Sequence, residues 1–444
     1  MGYKNIIIIK YFRKTGAKMN SFQHKKYNDK TKKVTVLIIN HFPLNKGNHA
    51  ILRTMIGTIN QFDKNIKIVV SSYDEQLTAK RDKVESFMWP VNVKKIAEKK
   101  FIFLQVLIAI TEIVNSLIIL YSPRFSKKSE NIYNYNKKAD IILCPGGHLF
   151  TSMNPLISVW TYTISILLAK KMNKPVFGLS QTIGPFEGIS GKIARYLSKK
   201  AIRNMDMIIL RDKSSEDILR TFQLENINYI SAGDIVYLLN NIVKKEECNF
   251  REIKQDKVNV GITIHHLYFK YHMSRREYVN IMSSFCNQLV NIFQNVNIIF
   301  IPMEYKNKDP KDRTLICEIM DSINNKENID IVERDLQPEE LLSFMKQLDF
   351  FVGTKTHSIV LSLLAGTPTL CISYHEKSNF FMHEWGVGEY AINLKNINNE
   401  NLLKLFGKLS NNKKKIKTIL ENSRDKMKAQ ANKNFEIILN KLSR

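Results

Sequence analysis

Two kinds of hydrophobic pattern alternate along this chain. Short continuous apolar runs are separated by longer segments in which apolar residues recur every three or four positions. The short runs predict strands buried in parallel sheets, and the longer segments predict helices. The first series of predicted strands is Val34–Ile39, Ile66–Val70, Ile141–Leu143, Val176–Leu179, Met207–Leu210 and Tyr229–Ser231. The second series is Val258–Ile264, Val296–Ile301, Ile329–Val332, Phe350–Val352 and Thr369–Ser373.

The two series predict two doubly wound, Rossmann-like α/β domains. A polar stretch from Asn241 to Lys257 separates them, so we expect residues 34–240 to form an N-terminal domain and residues 258–444 a C-terminal domain with basic helices at its end. Residues 1–33 are basic and lack periodicity, which predicts a flexible extension. In this architecture ligands bind at the carboxyl ends of strands and in the cleft between domains.

One apolar segment is too long for a strand. Residues 101–121 approach the length that spans a bilayer, but Glu112 near the centre would be costly in lipid. Three interpretations stay open: a helix that is buried or lies in a surface groove, a helix in the plane of a membrane, or a true span. Basic residues flank the segment at Lys94-Lys95, at Lys99-Lys100 and from Arg124 to Lys128, and they favour contact with anionic lipid.

The composition narrows the classes of partner. The chain has 444 residues, enough for two domains, and a formal net charge of +26. Such a charge predicts an anionic partner, either a phosphorylated metabolite, a nucleic acid or an acidic membrane face. The lysines are scattered and form no nucleic-acid-binding signature, so we expect no nucleic-acid partner. The five cysteines show no paired or metal-binding spacing, which is typical of a protein in a reducing cytoplasm.

The clearest candidate for chemistry is the turn from Gly353 to Ser358. It follows a predicted strand and begins a helical pattern that ends at Gly366. Lys355 and His357 therefore lie at a helix N-terminus, where free backbone N–H groups and the helix dipole favour an anion. A turn of this kind can hold a carboxylate or phosphate and offer a proton.

Further polar and glycine-rich motifs share the same kind of position, directly after a predicted strand. Glycines let a ligand approach the backbone closely, and Arg211 suits a bidentate contact with an anion. Taken singly, each motif is also explained as an ordinary turn or a solvated surface charge. The candidates are Asn45, Gly47, Asn48, Gly146, Gly147, His148, Gln181, Arg211, Glu304 and Lys377.

Taken in order, these motifs resemble those of the polysaccharide pyruvyl transferase family. The resemblance covers about residues 34–388. Three positions depart from the family pattern: Asn48 stands where the family usually has Asp, His148 replaces the third glycine of a Gly-Gly-Gly sequence, and Lys355 replaces an arginine. Lysine keeps the charge but loses the bidentate fork. The matching segments are Asn45 to Asn48, Pro145 to His148, Gln181 to Pro185, Arg211 to Ser215, Lys355 to Pro368 and Tyr374 to Lys377.

The resemblance implies a fold similar to GT-B glycosyltransferases, with two Rossmann-like domains facing a cleft. It also implies transfer of a pyruvyl group from phosphoenolpyruvate to two sugar hydroxyls, forming a ketal without a metal or other cofactor. His357 is the candidate general acid, because a proton donor near neutral pKa suits protonation of the enol carbon. The candidate donor-binding residues are Arg211, Lys355, Thr356, Ser358 and Lys377. The candidate residues bordering the acceptor are Asn45, Gly47, Asn48, Gly146, Gly147, His148, Gln181 and Glu304.

On this interpretation the acceptor is a sugar of a cell-surface glycan or of its lipid-linked precursor. We therefore expect a cytoplasmic enzyme peripheral to the inner face of the membrane. Two other functions stay open. One is a GT-B-type glycosyltransferase that binds a nucleotide sugar in the same cleft, and the other is a non-catalytic scaffold in glycan assembly.

Overall fold

A computed structural model describes residues 34–99, 101–225, 227–242, 249–266, 273–293, 295–304, 311–374 and 376–442. The predicted extension 1–33 and Cys248 lie outside these residues. In the described part, the strands form two parallel sheets separated along the chain by helices, which confirms the predicted fold class. The boundaries of the two domains stay a prediction.

The first sheet contains eight strands in the order β3-β2-β1-β4-β6-β7-β8, with β5 paired to β6. Both of its faces are buried: Val36 and Ile38 of β1 belong to one hydrophobic core, and the alternating Leu37 and Ile39 belong to another. Its strands are β1 (Thr35–His41), β2 (Lys67–Ser72), β3 (Glu85–Met88), β4 (Ile141–Cys144), β5 (Gly147–Phe150), β6 (Val176–Ile183), β7 (Met207–Leu210) and β8 (Tyr229–Ser231).

The second sheet contains six strands in the order β11-β10-β9-β12-β13-β14. Every predicted strand is present in one of the two sheets, whereas β3, β5 and β14 were not predicted. The strands of the second sheet are β9 (Val258–Ile262), β10 (Val296–Phe300), β11 (Ile329–Ile331), β12 (Phe350–Gly353), β13 (Thr369–Ser373) and β14 (Ala391–Asn393).

The helices follow the segments of longer apolar spacing. In the first half they are α1 (Lys46–Phe62), α2 (Glu75–Asp82), α3 (Val93–Ala97), α4 (Ile102–Tyr121), α5 (Lys127–Lys138), α6 (Leu156–Lys171), α7 (Gly188–Arg203) and α8 (Lys213–Arg220). In the second half they are α9 (Arg275–Ile292), α10 (Lys311–Asp321), α11 (Pro338–Lys346), α12 (Thr356–Ala365), α13 (Glu376–Glu384), α14 (Asn399–Asn411) and α15 (Lys413–Leu442). Short 3₁₀ helices cover Pro123–Phe125, Ile235–Asn241, Gly388–Tyr390 and Leu394–Asn396.

The last helix, α15, returns to the first half of the chain. Its buried Asn434 accepts a hydrogen bond from the Ser180 N–H over 2.9 Å and donates one to the Gly233 carbonyl over 2.9 Å. Phe435 and Ile438 of the same helix share a hydrophobic core with β1 and β9. The predicted C-terminal helix therefore packs against both halves of the molecule.

The carboxyl ends of strands from both sheets meet at one place. After β1, the Lys46 N–H donates to the Met303 carbonyl over 3.2 Å, and Asn45 pairs with Glu304 through an isolated antiparallel bridge. The loops that follow β1 and β10 thus hold the two halves together at the edge where ligands of this architecture bind.

The apolar segment 101–121 forms the surface helix α4. Its buried positions are confined to a narrow face that includes Glu112 and Ser116, while Ile102 and Phe103 are 77% and 76% exposed. By length and composition alone, α4 is also the one helix in the described residues that could cross a membrane.

Candidate active site

A cavity of about 130 Å³ lies where the carboxyl ends of the two sheets meet. Side chains from both halves line it, so neither half completes it alone. Most of the predicted donor-binding residues are here, together with residues that were not predicted. The lining residues are Asn45, His148, Met153, Arg211, His265, Met303, Glu304, Lys355, Thr356, His357, Tyr374 and Lys377.

Arg211 projects from the end of β7 and is only 3% exposed. Its Nε donates to Thr182 Oγ1 over 2.8 Å, and one terminal nitrogen forms a 2.5 Å ion pair with Asp234 Oδ2. Asp234 is fully buried and caps the 3₁₀ helix that follows it by accepting from the Val236 N–H. These contacts fix the guanidinium plane at the cavity wall, where its remaining donors can meet an anion.

His357 is the second residue of α12, in the first turn after the N-cap residue Lys355. Its Nε2 lies 3.5 Å from a terminal nitrogen of Arg211. Since a guanidinium only donates, Nε2 is the acceptor in this contact and the neutral ring carries its proton on Nδ1. Burial, followed by the nearby charge of Arg211, lowers the pKa of His357 to about 4, with Asp234 acting in the opposite direction. The protein's own groups therefore keep the imidazole neutral at pH 7, below the near-neutral pKa expected for the candidate acid.

Lys377 adds a second buried basic side chain next to Arg211. Burial, followed by repulsion from Arg211, lowers the pKa of Lys377 well below its usual value, although Asp212 and Asp234 oppose this shift. Burial alone would raise the pKa of Asp212, but the charge of Lys377 and hydrogen bonds from Ser215 and neighbouring hydroxyls outweigh it and lower that pKa. The site therefore concentrates positive groups that an added anion would stabilise.

Lys355 is held differently from the prediction. It is 5% exposed, and its Nζ lies 2.6 Å from Glu304 Oε1 and 3.3 Å from Asp312 Oδ2. Two carboxylates thus already surround the lysine that stands where the family carries arginine. Glu304, predicted at the acceptor side, lines the cavity as the partner of Lys355, and Asp312 was not predicted.

Six predicted residues do not line the cavity: Gly47, Asn48, Gly146, Gly147, Gln181 and Ser358. Three of them, Ser358, Gln181 and Gly146, support the site from behind. Ser358 is fully buried and donates to the Lys355 carbonyl over 2.7 Å, so its hydroxyl closes the turn. Gln181 is also fully buried and donates to the carbonyl of Pro145 over 2.6 Å. A Cβ at Gly146 would lie 2.9 Å from the Ser180 carbonyl oxygen, so this glycine permits close packing of the loop against β6.

The other predicted acceptor-side residues cluster around the start of α1. Asn45 lines the cavity and caps α1 by accepting from the Gly47 and Asn48 N–H groups at 2.9 and 3.2 Å. A Cβ at Gly147, whose φ is +137°, would lie 3.7 Å from Asn48 Oδ1. His148 lines the cavity and bonds through Nε2 to the Gly184 carbonyl. The structure thus brings the motifs after β1 and β4 side by side.

Several contributors to the site were not predicted. Asp234 and Asp212 carry a sequence signal that could have found them, because each follows a strand and precedes a helix that it caps. Asp312 carries no such signal, since only the fold brings α10 to the end of β12. Among the described residues, no group of three His, Cys, Asp or Glu side chains is placed to hold a metal ion.

Gly47 packs directly on the candidate acid. A Cβ at this position would lie 2.3 Å from Cγ and 2.5 Å from Cβ of His357, which leaves no room even for a methyl group. Gly47→Ala is expected to displace the imidazole, to destabilise the protein by about 1–3 kcal/mol and to lower activity. Thermal unfolding measures the loss of stability, and activity assays measure the loss of activity.

Gly407→Ala is the matched control for this substitution, because nothing lies within 4 Å of a Cβ at that helical position. It is expected to stabilise α14 slightly, by about 0.5–1 kcal/mol. If Gly47→Ala behaved like Gly407→Ala, the close contact with His357 would be unimportant.

Comparison with solved structures shows the fold class of this chain. The chain is similar to a putative UDP-N-acetylglucosamine 2-epimerase from Listeria monocytogenes, with 12% identity and a TM-score of 0.62 over 91% of this chain and 97% of that one. It is also similar to a glycosyltransferase from Rickettsia africae, with 13% identity and a TM-score of 0.55 over 93% and 98% of the two chains. At these identities the likeness shows the fold alone, which is two Rossmann-like domains of GT-B type. The chain belongs to the polysaccharide pyruvyl transferase family, whose model matches residues 45–376.

A curated relative agrees with this membership. The chain is 22% identical over 296 residues to the amylovoran biosynthesis protein AmsJ of Erwinia amylovora. The match covers 62% of this chain and 66% of that relative, so it spans just under two thirds of the relative's length.

Proposed function

We propose that this protein transfers a pyruvyl group from phosphoenolpyruvate to two hydroxyls of a sugar, forming a cyclic ketal. The observation that carries the proposal is the convergence of buried Arg211 and Lys377 on His357 at one cavity. Phosphoenolpyruvate carries a carboxylate and a phosphate, and two buried cations are matched to such a ligand. Membership of the family supports the same donor.

The cavity residues divide into donor-holding and supporting groups. In our proposal Arg211, Lys377 and the Thr356 hydroxyl contact the donor's anionic groups. Lys355 lies beside Glu304 in the cavity wall. Its positive charge therefore interacts both with the neighbouring carboxylates and with the donor. Ser358 acts indirectly, because its hydrogen bond to the Lys355 carbonyl holds the turn in shape.

The reaction requires one proton on carbon and two hydroxyl additions. Protonation of the methylene carbon of phosphoenolpyruvate leaves a cationic carbon next to the carboxylate. One sugar hydroxyl adds there and its proton returns to His357, the phosphate then leaves with its bonding electrons, and the second hydroxyl adds, loses its proton to the released phosphate and closes the ring. His357 supplies the first proton, and the cations at the cavity wall stabilise the departing phosphate.

Donor binding also prepares His357 for this role. The negative charge of the donor, placed beside the imidazole, raises the pKa of His357 above the value of about 4 that the protein alone imposes. The imidazole then takes up a proton only when a donor is present.

The acceptor lies on the side formed by the N-terminal half. In our proposal this side is bordered by Asn45, Asn48, His148 and the Gly146-Gly147 loop. Gly47 packs behind these residues, and Gln181 holds the loop in place. The acceptor class that fits the family is a sugar of a cell-surface glycan or of its lipid-linked precursor. The enzyme would act on it from the cytoplasmic side of the membrane.

A donor screen tests the proposal directly. The purified protein is titrated calorimetrically with phosphoenolpyruvate and with nucleotide sugars, and release of phosphate or nucleotide is followed with a panel of lipid-linked and free glycans. We expect phosphoenolpyruvate binding and acceptor-dependent phosphate release. Nucleotide release instead would indicate a glycosyltransferase, and binding of neither donor would favour a non-catalytic scaffold.

A further inference from the structure

The helix α4 exposes an apolar face that a water-facing helix rarely shows. Glu112 is its only charged residue, and that side chain is buried. Exposed apolar side chains recur through its first half, and contiguous apolar surfaces of this kind mark interaction sites. They are Ile102, Phe103, Leu104, Val106, Leu107 and Ile110.

The second half of α4 is anchored to the body of the protein. Glu112 Oε2 accepts from the Asn92 N–H over 2.8 Å, and the Trp160 indole of α6 donates to Ser116 Oγ over 3.0 Å. Ile119 and Leu120 are buried in the core beneath. A helix held in this way cannot cross a bilayer without losing these contacts, so the packing favours a surface position over a true span.

The same contacts determine the direction in which the apolar half points. Asn92 follows β3 and so lies on the carboxyl edge of the first sheet, whereas Lys171, which donates to the Leu120 carbonyl over 2.6 Å, lies at the end of α6 before β6 begins. The ten residues of α4 that precede Glu112 therefore extend about 15 Å from the carboxyl edge, at 1.5 Å per residue. The candidate active site opens at the same edge.

Basic and aromatic side chains lie at both ends of this helix. Lys95 and Lys99 precede it and Lys127 follows it, and all three are exposed. Phe101 and Phe125, at opposite ends, are also exposed. Basic residues attract anionic headgroups, and aromatic rings favour the boundary between headgroups and acyl chains.

We infer that the first half of α4 and its basic flanks dock this protein in the plane of an anionic phospholipid membrane. A second copy of the chain fits this surface less well. In an isologous pair the basic flanks of both copies would be brought to one interface, and the net charge of +26 opposes association further. An anionic bilayer satisfies both the apolar face and the charges.

Vesicle sedimentation tests this inference with the full chain. We expect binding to vesicles of phosphatidylcholine and phosphatidylglycerol at low salt, and at least tenfold weaker binding to phosphatidylcholine alone. The variant Ile102→Ser/Phe103→Ser/Leu107→Ser/Ile110→Ser is expected to lose binding. The variant Lys95→Gln/Lys99→Gln/Lys127→Gln is expected to weaken it on the order of 100-fold.

The helix α7 offers a matched control, because Ile189 and Ile193 are also exposed apolar residues. Ile189→Ser/Ile193→Ser is expected to bind vesicles like the unaltered protein. All variants change exposed side chains, and unchanged thermal unfolding would show that they fold. The inference is overturned if the α4 apolar variant still binds, or if sedimentation velocity shows a dimer that this variant alone dissociates.

A depth measurement separates insertion from simple attraction. Phe103→Trp places a fluorophore on the apolar half of α4. Trp89 and Trp385 are buried, and the half-buried Trp160, which donates to Ser116 of α4, is measured in the unaltered protein as the background. Lipids brominated in the acyl chain are expected to quench the new fluorescence, and its insensitivity would contradict insertion. None of these measurements uses a donor or an acceptor, so their failure would leave the proposed transferase activity untouched.

Discussion

Replacing His357 by glutamine is expected to lower the rate of pyruvyl transfer roughly 10²–10⁴-fold, the usual contribution of a positioned general acid. Glutamine keeps hydrogen-bonding capacity at the N-terminus of α12 but cannot deliver a proton to carbon. Phosphate release in single-turnover experiments measures the effect, and calorimetry measures donor binding in the same variant. We expect donor affinity to change far less than the rate.

The pH behaviour supplies a second measurement on the same residue. Because the protein alone holds the pKa of His357 at about 4, the ring is neutral in the free protein at pH 7. The anionic donor raises that pKa, so binding should be accompanied by proton uptake at pH values between the free and bound pKa. Calorimetric titrations in buffers of different ionisation enthalpy report this uptake, and it should be smaller in His357→Gln.

His383 provides the control, since it is an exposed histidine at the end of α13. His383→Gln should retain both the rate and the proton uptake. Full transfer activity in His357→Gln with a confirmed acceptor would remove His357 from the role of acid.

The second large effect is expected at Arg211. Arg211→Met removes a buried cation and leaves Asp234 charged and uncompensated, which is expected to cost about 3–5 kcal/mol of unfolding free energy. It also removes a charge-assisted contact to the donor, worth about 1.5–3 kcal/mol, or roughly 10- to 150-fold in Kd. Denaturant unfolding and donor titration measure the two losses separately.

A paired substitution separates the structural loss from the functional one. In Arg211→Met/Asp234→Asn the uncompensated charge is gone, and asparagine can still accept from the Val236 N–H. Stability is therefore expected to recover in part, while donor binding and transfer stay low. Recovery of activity together with stability would mean that Arg211 only holds the fold. Arg220→Met, at a side chain that is 60% exposed, should change unfolding by less than about 0.5 kcal/mol.

Most of the strands that could be predicted are buried on both faces, although the partly exposed edge strands β8 and β11 were predicted as well. β1 and β4 consist largely of adjacent apolar residues, and that pattern has few alternatives. β3 and β14 are edge strands that contain Glu85 and Asn393, so their partial exposure removes the continuous apolar signal. β5 begins at a glycine inside a loop motif and was interpreted only as a ligand-binding turn.

The parts of the site that could be predicted are those in which the functional residues lie close together along the chain. Lys355 and His357 flank the start of a helix, and their position there follows from the strand–turn–helix pattern alone. The contacts that surround these two side chains could not be predicted from that pattern. Pairing of Lys355 with Asp312 and contact of Gly47 with His357 depend on residues that are distant along the chain, and burial then lowers the pKa of His357.

The sequence by itself determined the alternation of strands and helices, the order of the motifs and the family, because these depend on residue types and their local spacing. Only the tertiary structure decided which polar groups face the cavity, which of them neutralise one another, and which side of α4 is exposed. These properties depend on burial and on contacts between distant segments. Residues 101–121 fit three environments as a sequence, and the anchoring of Glu112 and Ser116 concentrates the exposed apolar side chains in the first half of the helix.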